Sequence, residues 1–374
     1  MSDLTRSGAI TEKRWLSPAL YGLVFLAGLA WTVSRFVQSP GVPLHDEVAH
    51  FLFSRDAWQF PERMLSVWGR PAHTILYMVP SLWGLTGARV FSLVLASLTV
   101  LLATRVAPLL GVRRLFLIPV FLWFQPWFND LSYTALTEVP FSFLLILGIY
   151  LWLSGREVLA SLPLGLLALT RHEGIVLLAL WGAYALYRRN WWAAALLALP
   201  LVAYNLVYFL VFREWAAAVY FVSNPTDHYG AGGWLHYVRP VVGRVGVPVT
   251  LLSLLALVPI ARLPERGLAF AGYILYYLIH TILYRFGLYA SGGYALFLLP
   301  LAPGFAIAAA MGVEQVLAWI SHFMADRGAM MQAASAFVGV VSVLPVIYTG
   351  LQTPPPPAWS RGRRRAAGLY LASL

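Results

Sequence analysis

Residues 41–56, GVPLHDEVAHFLFSRD, place two adjacent carboxylates, Asp46 and Glu47, shortly after a long apolar run. Charge is scarce elsewhere, since only 11% of the residues are charged while 60% are hydrophobic. Soluble domains are roughly 45–50% apolar and about 25% charged. The composition therefore predicts an integral membrane protein, in which an acidic pair needs an explanation of its own.

The apolar runs are long, repeated and separated by arginine-containing segments. About 20 helical apolar residues cross about 30 Å of hydrocarbon, so the pattern predicts an all-α protein with about eleven transmembrane helices. The predicted spans are residues 16–37, 88–110, 115–129, 139–153, 158–170, 174–187, 191–212, 241–261, 267–284, 294–313 and 333–351. We expect residues 1–374 to form one membrane domain, with a long first outer loop at 38–87 and a Pro/Arg-rich tail at 352–374.

The net charge of +11 is spread over short loops and forms no basic stripe interleaved with aromatics, so nucleic acid is not an expected partner. Basic loops favour the cytoplasmic side of a membrane. The N-terminal segment is basic, and the loops that would share its side carry arginines at positions 113, 114, 156, 188, 189, 262, 266 and 327. Because Arg outnumbers Lys 25 to 1, a prokaryotic cytoplasmic membrane is the expected location.

Successive loops alternate between the two faces of a membrane, so the ionisable residues of the other loops are expected together on the outer face. They are Asp46, Glu47, Asp130, Glu138, Arg171, His172, Glu173, Asp227, His228 and Arg285. Taken singly, each is explained by a solvated loop carboxylate or by a helix-end arginine that snorkels. Ionisable groups at a membrane are costly unless they are used, so their concentration on one face favours a shared polar site.

The remaining motifs narrow the kind of site. The chain has no cysteine, and its histidines lack the helical His-Glu-x-x-His spacing, so zinc is not expected. The stretch DHYGAGGW (227–234) could hold a phosphate, but a gate over the site is the favoured interpretation. The segment FPERMLSVWG (60–69) predicts an amphipathic interfacial helix beginning at Pro61.

Four segments carry a resemblance to a known family. HDEVAHF (45–51) resembles the Asp-Glu motif in the first extracytoplasmic loop of GT-C fold glycosyltransferases, within the protein O-mannosyltransferase and aminoarabinose-transferase-like superfamily. ALTEVPFSFLLILGIYLWL (135–153) is similar to the opening of their fourth helix, and LLALTRHEGIVLLALW (166–181) to their Thr-Arg-Pro-Glu-Gly junction. SGGYALFLLPLAPGFAIAAA (291–310) resembles their late Tyr-Arg-Tyr-Leu-Leu-Pro-Leu segment, but Leu296 and Phe297 replace the usual Arg-Tyr.

The resemblance implies an inverting glycosyltransferase that moves a sugar from a polyprenyl-phosphate carrier to a hydroxyl of a glycan, lipid or protein at the outer face. Asp46 would be the general base, and Glu47 and Glu138 would assist it. No cofactor is required, although a divalent cation such as Mg²⁺ or Mn²⁺ is an option, with Glu47 and Glu138 as its ligands. The expected substrate-binding residues are Arg171, His172, Glu173, Asp227, His228, Arg285 and Tyr294. Arg285, helped by Arg171, would contact the donor phosphate.

Three alternatives stay open. A transporter would place ionisable groups near mid-membrane and would often contain repeated halves. A non-catalytic subunit of a membrane complex could share the fold, although it would be expected to lack the base. Asp46 itself could merely cap the helix that begins near Glu47, a role that Asn fills equally well. We expect the two acids to lie on an extended segment, with their side chains pointing in opposite directions.

Overall fold

The computed structural model describes residues 16–39, 45–222, 230–261, 264–288, 292–324 and 326–352. Every regular element in these ranges is helical. The helices are α1 (Leu16–Gln38), α2 (His45–Asp56), α3 (Pro71–Tyr77), α4 (Gly84–Leu109), α5 (Leu117–Trp123), α6 (Pro126–Leu131), α7 (Glu138–Leu153), α8 (Glu157–Thr170), α9 (Gly174–Tyr187), α10 (Trp191–Phe212), α11 (Ala216–Val222), α12 (Val238–Val245), α13 (Val247–Leu255), α14 (Leu257–Ala261), α15 (Pro264–Arg285), α16 (Ala302–Phe323) and α17 (Arg327–Gln352). Three 3₁₀ helices cover Pro61–Leu65, Pro80–Trp83 and Ala295–Leu301.

Within the described residues, six helices are long and apolar enough to cross a membrane, and a bent pair would make seven. They are Pro18–Gln38, Pro80–Leu109, Trp191–Phe212, Gly267–Arg285, Ala295–Phe323 and Arg327–Gln352. Three more of the predicted spans are the helices α7, α8 and α9, which have 16, 14 and 14 residues. At 1.5 Å per residue they are shorter than the hydrocarbon thickness of about 30 Å. The count of eleven spans therefore stays a prediction.

The segment predicted as one span at 115–129 is two short helices, α5 and α6, which are separated near Pro126. All seven residues of α5 are buried. A helix that is apolar on every side belongs in the interior, and α5 packs against α1, α4, α16 and α17. At the break, the Gln125 side-chain amide donates to the carbonyls of Phe121 (2.7 Å) and Ala302 (3.0 Å). These bonds anchor the interruption in the core.

The first loop is folded against the helix bundle. Helix α2 packs on α3, on α4 and on the 3₁₀ helix Pro61–Leu65. That 3₁₀ helix begins at Pro61, as predicted, but it ends after five residues and buries none of them. The expected amphipathic helix is therefore much shorter than its sequence pattern indicated, and residues 67–69 form a turn instead.

The span predicted at 241–261 is bent. Helix α12 meets the segment Val247–Ala261 at 104°. Gly246 lies at this corner with φ of 99°, a conformation that residues with a Cβ rarely adopt. Beyond the corner, α13 packs closely on α16. The approach is so close that a Cβ on Gly312 would lie 2.0 Å from the Leu252 carbonyl oxygen. The bend brings α12 against the 3₁₀ helix Ala295–Leu301.

Candidate functional site

Asp46 and Glu47 lie in the first turn of α2, which begins at His45. The expectation of an extended segment is therefore wrong, and Asp46 is inside the helix and not at the position before it. Acidic side chains in a first turn interact favourably with the helix dipole. Adjacent residues on a helix point about 100° apart, so the two acids still diverge. Asp46 is exposed, whereas Glu47 is fully buried.

Glu47 forms a bidentate ion pair with Arg89 of α4. The Arg89 Nε donates to Oε1 at 2.7 Å and Nη2 donates to Oε2 at 2.6 Å. The backbone N–H of Ala135 also donates to Oε1, at 3.0 Å. Such fork-to-carboxylate pairs have defined geometry as well as strength. Glu47 therefore joins α2, α4 and the segment before α7, and this fixes the start of α2, where Asp46 lies.

Asp46 has a different environment. Its carboxylate makes no hydrogen bond or ion pair with any part of the chain that the structure describes. It lies close enough to Glu138 for the two charges to act on each other. An exposed carboxylate without a cationic partner is available to accept a proton or to contact a polar ligand.

A second ion-pair cluster surrounds Arg171, in the short connection between α8 and α9. Its guanidinium donates to the buried carboxylate of Glu138, at the start of α7, and its Nη2 donates to Glu173 Oε1 at 3.1 Å. The Arg171 Nη1 also donates to Thr137 Oγ1 at 3.0 Å. The guanidinium carbon lies 4.7 Å from the centre of the Phe297 ring, within the range of a cation–π interaction. The structure thus brings together Glu138, Arg171 and Glu173, as the sequence predicted for one shared site.

His172 contacts Arg70, an arginine that was not among the expected site residues. The Arg70 Nη1 lies 2.5 Å from His172 Nδ1. Because arginine can only donate, the imidazole must accept and is neutral. Burial, reinforced by the charge of Arg70, lowers the pKa of His172 to about 2. Arg70 has φ of 64°, an unusual value for a residue with a side chain, of the kind found at functional sites.

A row of stacked rings extends from α2 into the first loop. His50, one helical turn after Asp46, stacks on Trp68 with ring centres 4.8 Å apart. His73 lies 5.0 Å from His50 and stacks on Tyr77 at 4.2 Å. Burial, ahead of the nearby positive groups, lowers the pKa of His50, and burial lowers the pKa of His73 to about 3. Both histidines are therefore neutral at pH 7.

These neutral histidines make the fold sensitive to acid. His50, His73 and His172 have folded-state pKa values below the unfolded value of about 6.5. The unfolded chain therefore binds more protons below that pH, so their contribution to stability is complete above about pH 6.5 and is lost as the pH falls. Each can cost up to about 1.4 kcal/mol per pH unit. We expect the Tm to fall between about pH 7.5 and 5.5.

The matched variants for this prediction are His73→Gln and His322→Gln. His322 is exposed at the end of α16, remote in sequence from the ring row. The Tm of the His73 variant should depend less steeply on pH, whereas the His322 variant should follow the unmodified protein. Identical slopes in all three proteins would contradict the assignment of acid sensitivity to the buried ring row.

The optional divalent cation has no preformed site in the part of the chain that the structure describes, where no three His, Asp or Glu side chains are grouped to hold a metal ion. Glu47 and Glu138, its proposed ligands, are each ion-paired with an arginine. Binding of a cation by these carboxylates would have to displace Arg89 or Arg171. The pairing does not favour a metal. That no cofactor is required, with a divalent cation as an option, stays a prediction.

The other predicted residues lie at the edge of this cluster or outside it. Tyr294 is exposed, and its ring meets that of Phe297 edge-on at 5.8 Å. Arg285 is exposed at the end of α15, 6.0 Å from the rings of Trp234 and Phe286. Asp227 and His228 lie outside the described residues.

Asp130 has its own arginine partners. It pairs with Arg35 of α1 at 3.6 Å and with Arg244 of α12 at 4.0 Å. These contacts connect three helices, and neither involves a member of the Arg171 cluster. Asp130 is therefore assigned a role in helix packing.

Comparison with known proteins places this fold. No protein-family model matches the sequence, and no curated protein matches it either. The structure is similar to the crystal structure of ArnT from Cupriavidus metallidurans bound to undecaprenyl phosphate, with a TM-score of 0.62 and 16% sequence identity. The match covers 95% of this chain and 75% of the ArnT chain. The predicted fold class, an all-α membrane protein of the GT-C type, is confirmed.

Proposed function

We propose that the protein is an inverting glycosyltransferase that uses a polyprenyl-phosphate sugar as donor and a hydroxyl group as acceptor. The observation that carries the proposal is the contrast between Asp46 and its neighbours. Glu47, Glu138 and Glu173 are each engaged by an arginine, whereas Asp46 is exposed and has no cationic partner among the described residues. A carboxylate in that state, at the rigid start of a helix, suits a general base.

The proposed reaction is a single displacement at the anomeric carbon. The acceptor oxygen forms a bond to that carbon while its proton passes to Asp46. The bond from the same carbon to the phosphate oxygen breaks, and the polyprenyl phosphate leaves with the electron pair. One displacement inverts the configuration. The protein then has two tasks, namely to position the base and to stabilise the charge on the leaving phosphate.

The likeness to ArnT supports the choice of donor, because that structure holds undecaprenyl phosphate in a similar fold. The position of the charges favours a transferase over a transporter. Glu47, Glu138 and Arg171 lie at or beside helix ends, which we assign to the outer interface of the membrane. The presence of Asp46, which has no cationic partner among the described residues, argues against a non-catalytic subunit. We place the protein in a prokaryotic cytoplasmic membrane with this site facing outward, and glycan, lipid and protein hydroxyls are the acceptor classes.

The proposal is tested by a transfer assay in proteoliposomes with a panel of polyprenyl-phosphate sugars. Membrane glycan, lipid and protein fractions serve as acceptors, and mass spectrometry identifies what gains a sugar. We expect a product of defined mass increment with at least one donor. A panel that gives no product in the unmodified protein above the background of Asp46→Asn would refute the proposed activity.

Arg285 is the proposed contact for the donor phosphate. Its guanidinium is exposed, stays charged and can grip two phosphate oxygens. We expect Arg285→Ala to weaken binding of undecaprenyl phosphate about tenfold or more, because a charge-assisted hydrogen bond is lost. Lysine retains the charge without the fork, so Arg285→Lys should have an intermediate affinity.

Arg188 supplies the matched control for Arg285. It is also exposed, and its guanidinium lies 5.9 Å from the Tyr184 ring, at the opposite end of a helix from the Arg171 cluster. Arg188→Ala should bind undecaprenyl phosphate as the unmodified protein does. Unchanged affinity of both Arg285 variants for undecaprenyl phosphate would show that Arg285 is only an interfacial anchor.

A further inference from the structure

Several buried polar atoms around Glu173 have no hydrogen-bond partner within the described parts of the chain. They are Glu173 Oε2, Arg171 Nε, the Tyr237 hydroxyl and both ring nitrogens of His280. Tyr237 and His280 are fully buried. Buried polar groups in native proteins are rarely left unpaired. A concentration of them at one place indicates that a polar partner belongs there.

These groups come from three separate helical segments and meet around one carboxylate. His280, on α15, has its Nε2 3.8 Å from Glu173 Oε1, which is too far for a direct hydrogen bond but close enough for one oxygen atom beside the pair to bridge them. The Tyr237 phenol, at the start of α12, interacts electrostatically with both Glu173 and Arg171. The bend after α12 therefore brings Tyr237 to the cluster, whose other members lie at the start of α9 and on α15.

The chemistry of the cluster identifies the class of partner. A carboxylate oxygen accepts, a guanidinium N–H donates, and phenol and imidazole can do both. Sugar hydroxyls, which also donate and accept, match this mixture. A phosphate offers only acceptors at neutral pH and would be repelled by Glu173. The Phe297 ring, 5.8 Å from His280, adds an apolar wall.

The position of the cluster indicates the part of the reaction to which its sugar would belong. Asp46 acts electrostatically on Glu138, and ion pairs lead from Glu138 through Arg171 to Glu173. Beyond Glu173, the Tyr237 ring lies 6.0 Å from that of Tyr284, which precedes Arg285. The cluster is thus linked on one side to the residues near the proposed base and on the other to the segment that carries the proposed phosphate contact. In a displacement reaction, that is the place of the sugar being transferred.

We propose that Glu173, His280 and Tyr237 bind the hydroxyl groups of the sugar on the donor lipid. This inference rests on the proposed function and deepens it. Tyr237→Phe is the most direct test, because the hydroxyl that it removes has no partner in the described protein and its loss should not weaken the fold. Any change in affinity for a carrier can then be attributed to a lost contact between this hydroxyl and the ligand.

Tyr273 provides a closely matched control. It is also buried, and its hydroxyl likewise has no hydrogen-bond partner among the described residues. No charged residue of the described ranges acts on that hydroxyl, and its ring packs against Gly304 of α16. The probes are undecaprenyl phosphate alone and undecaprenyl phosphate carrying mannose, glucose or galactose, with dissociation constants measured by native mass spectrometry of the purified full-length protein.

We expect at least one sugar-bearing carrier to bind the unmodified protein about three- to tenfold more tightly than the sugar-free carrier. Tyr237→Phe should lose this preference and keep its affinity for undecaprenyl phosphate, and Tyr273→Phe should keep both. A preference that survives in Tyr237→Phe would show that the cluster holds only water. Equal binding of all carriers by the unmodified protein would also overturn this inference while leaving the proposed donor lipid intact. Failure to bind undecaprenyl phosphate itself would overturn the proposed function and, with it, this inference.

Discussion

Asp46→Asn is expected to reduce sugar transfer by about 10²–10⁴-fold, the usual scale for removal of a general base. The amide has the shape of the carboxylate but cannot take the acceptor proton. Since Asp46 makes no hydrogen bond or ion pair with the described residues, the fold and the affinity for undecaprenyl phosphate should be unchanged. The measurements are initial rates in the transfer assay, Tm and donor binding.

Glu62→Gln is the control for Asp46→Asn. Glu62 is an exposed acid in the same loop, on the 3₁₀ helix Pro61–Leu65, so its neutralisation removes one negative charge without touching the proposed base. Its transfer rate should be close to that of the unmodified protein. Full activity in Asp46→Asn would instead show that the carboxylate serves only the first turn of α2, through its interaction with the helix dipole.

Arg89→Met is expected to destabilise the protein by about 3–5 kcal/mol, because it leaves Glu47 as a buried carboxylate without its cationic partner. Glu47 is fully buried and Arg89 is 5% exposed, so little water can compensate. The free energy of unfolding in mixed detergent micelles gives the size of the loss. The double variant Glu47→Gln/Arg89→Met removes both charges and should recover much of it.

The double variant also separates packing from chemistry. The Gln oxygen can still accept from the Ala135 N–H, which Glu47 Oε1 accepts at 3.0 Å. Because the proposed base remains, the double variant should keep more transfer activity than Asp46→Asn. If it were folded but as inactive as Asp46→Asn, Glu47 would have to act on the substrate directly. Equal stability of Arg89→Met and the unmodified protein would contradict the structural role of the pair.

The membrane class and the helical architecture could be predicted from local composition. Each apolar run has to satisfy its backbone within the segment when no water is present, and a helix does so. Residues 16–37 and 191–212 therefore correspond to α1 and α10 with little error. The meeting of Glu138, Arg171 and Glu173 was also predictable, because loops that alternate across a membrane collect on two faces.

The partners of the buried charges could not be predicted in the same way. Arg70 and Arg89 were not among the expected site residues, although an arginine five residues into an apolar helix needs a partner. Which carboxylate it meets depends on how α2 packs on α4, a contact between residues 42 positions apart. The interruption at Gln125 was missed for a similar reason, since its side-chain amide nitrogen donates to the carbonyl of Ala302, 177 residues later.

The sequence by itself determined that this chain folds as helices in a membrane, and it predicted that Glu138, Arg171 and Glu173 belong to one polar site. Hydrophobic run length and charge spacing are local properties, so no knowledge of the packing was needed. Only the tertiary structure decided that Glu47 is held by Arg89 while Asp46, its neighbour in the chain, has no such partner among the described residues. The physical reason is the helical conformation of α2. Side chains of adjacent residues point about 100° apart on a helix, so Glu47 meets the buried face of α4 while Asp46 meets the exposed edge of the site.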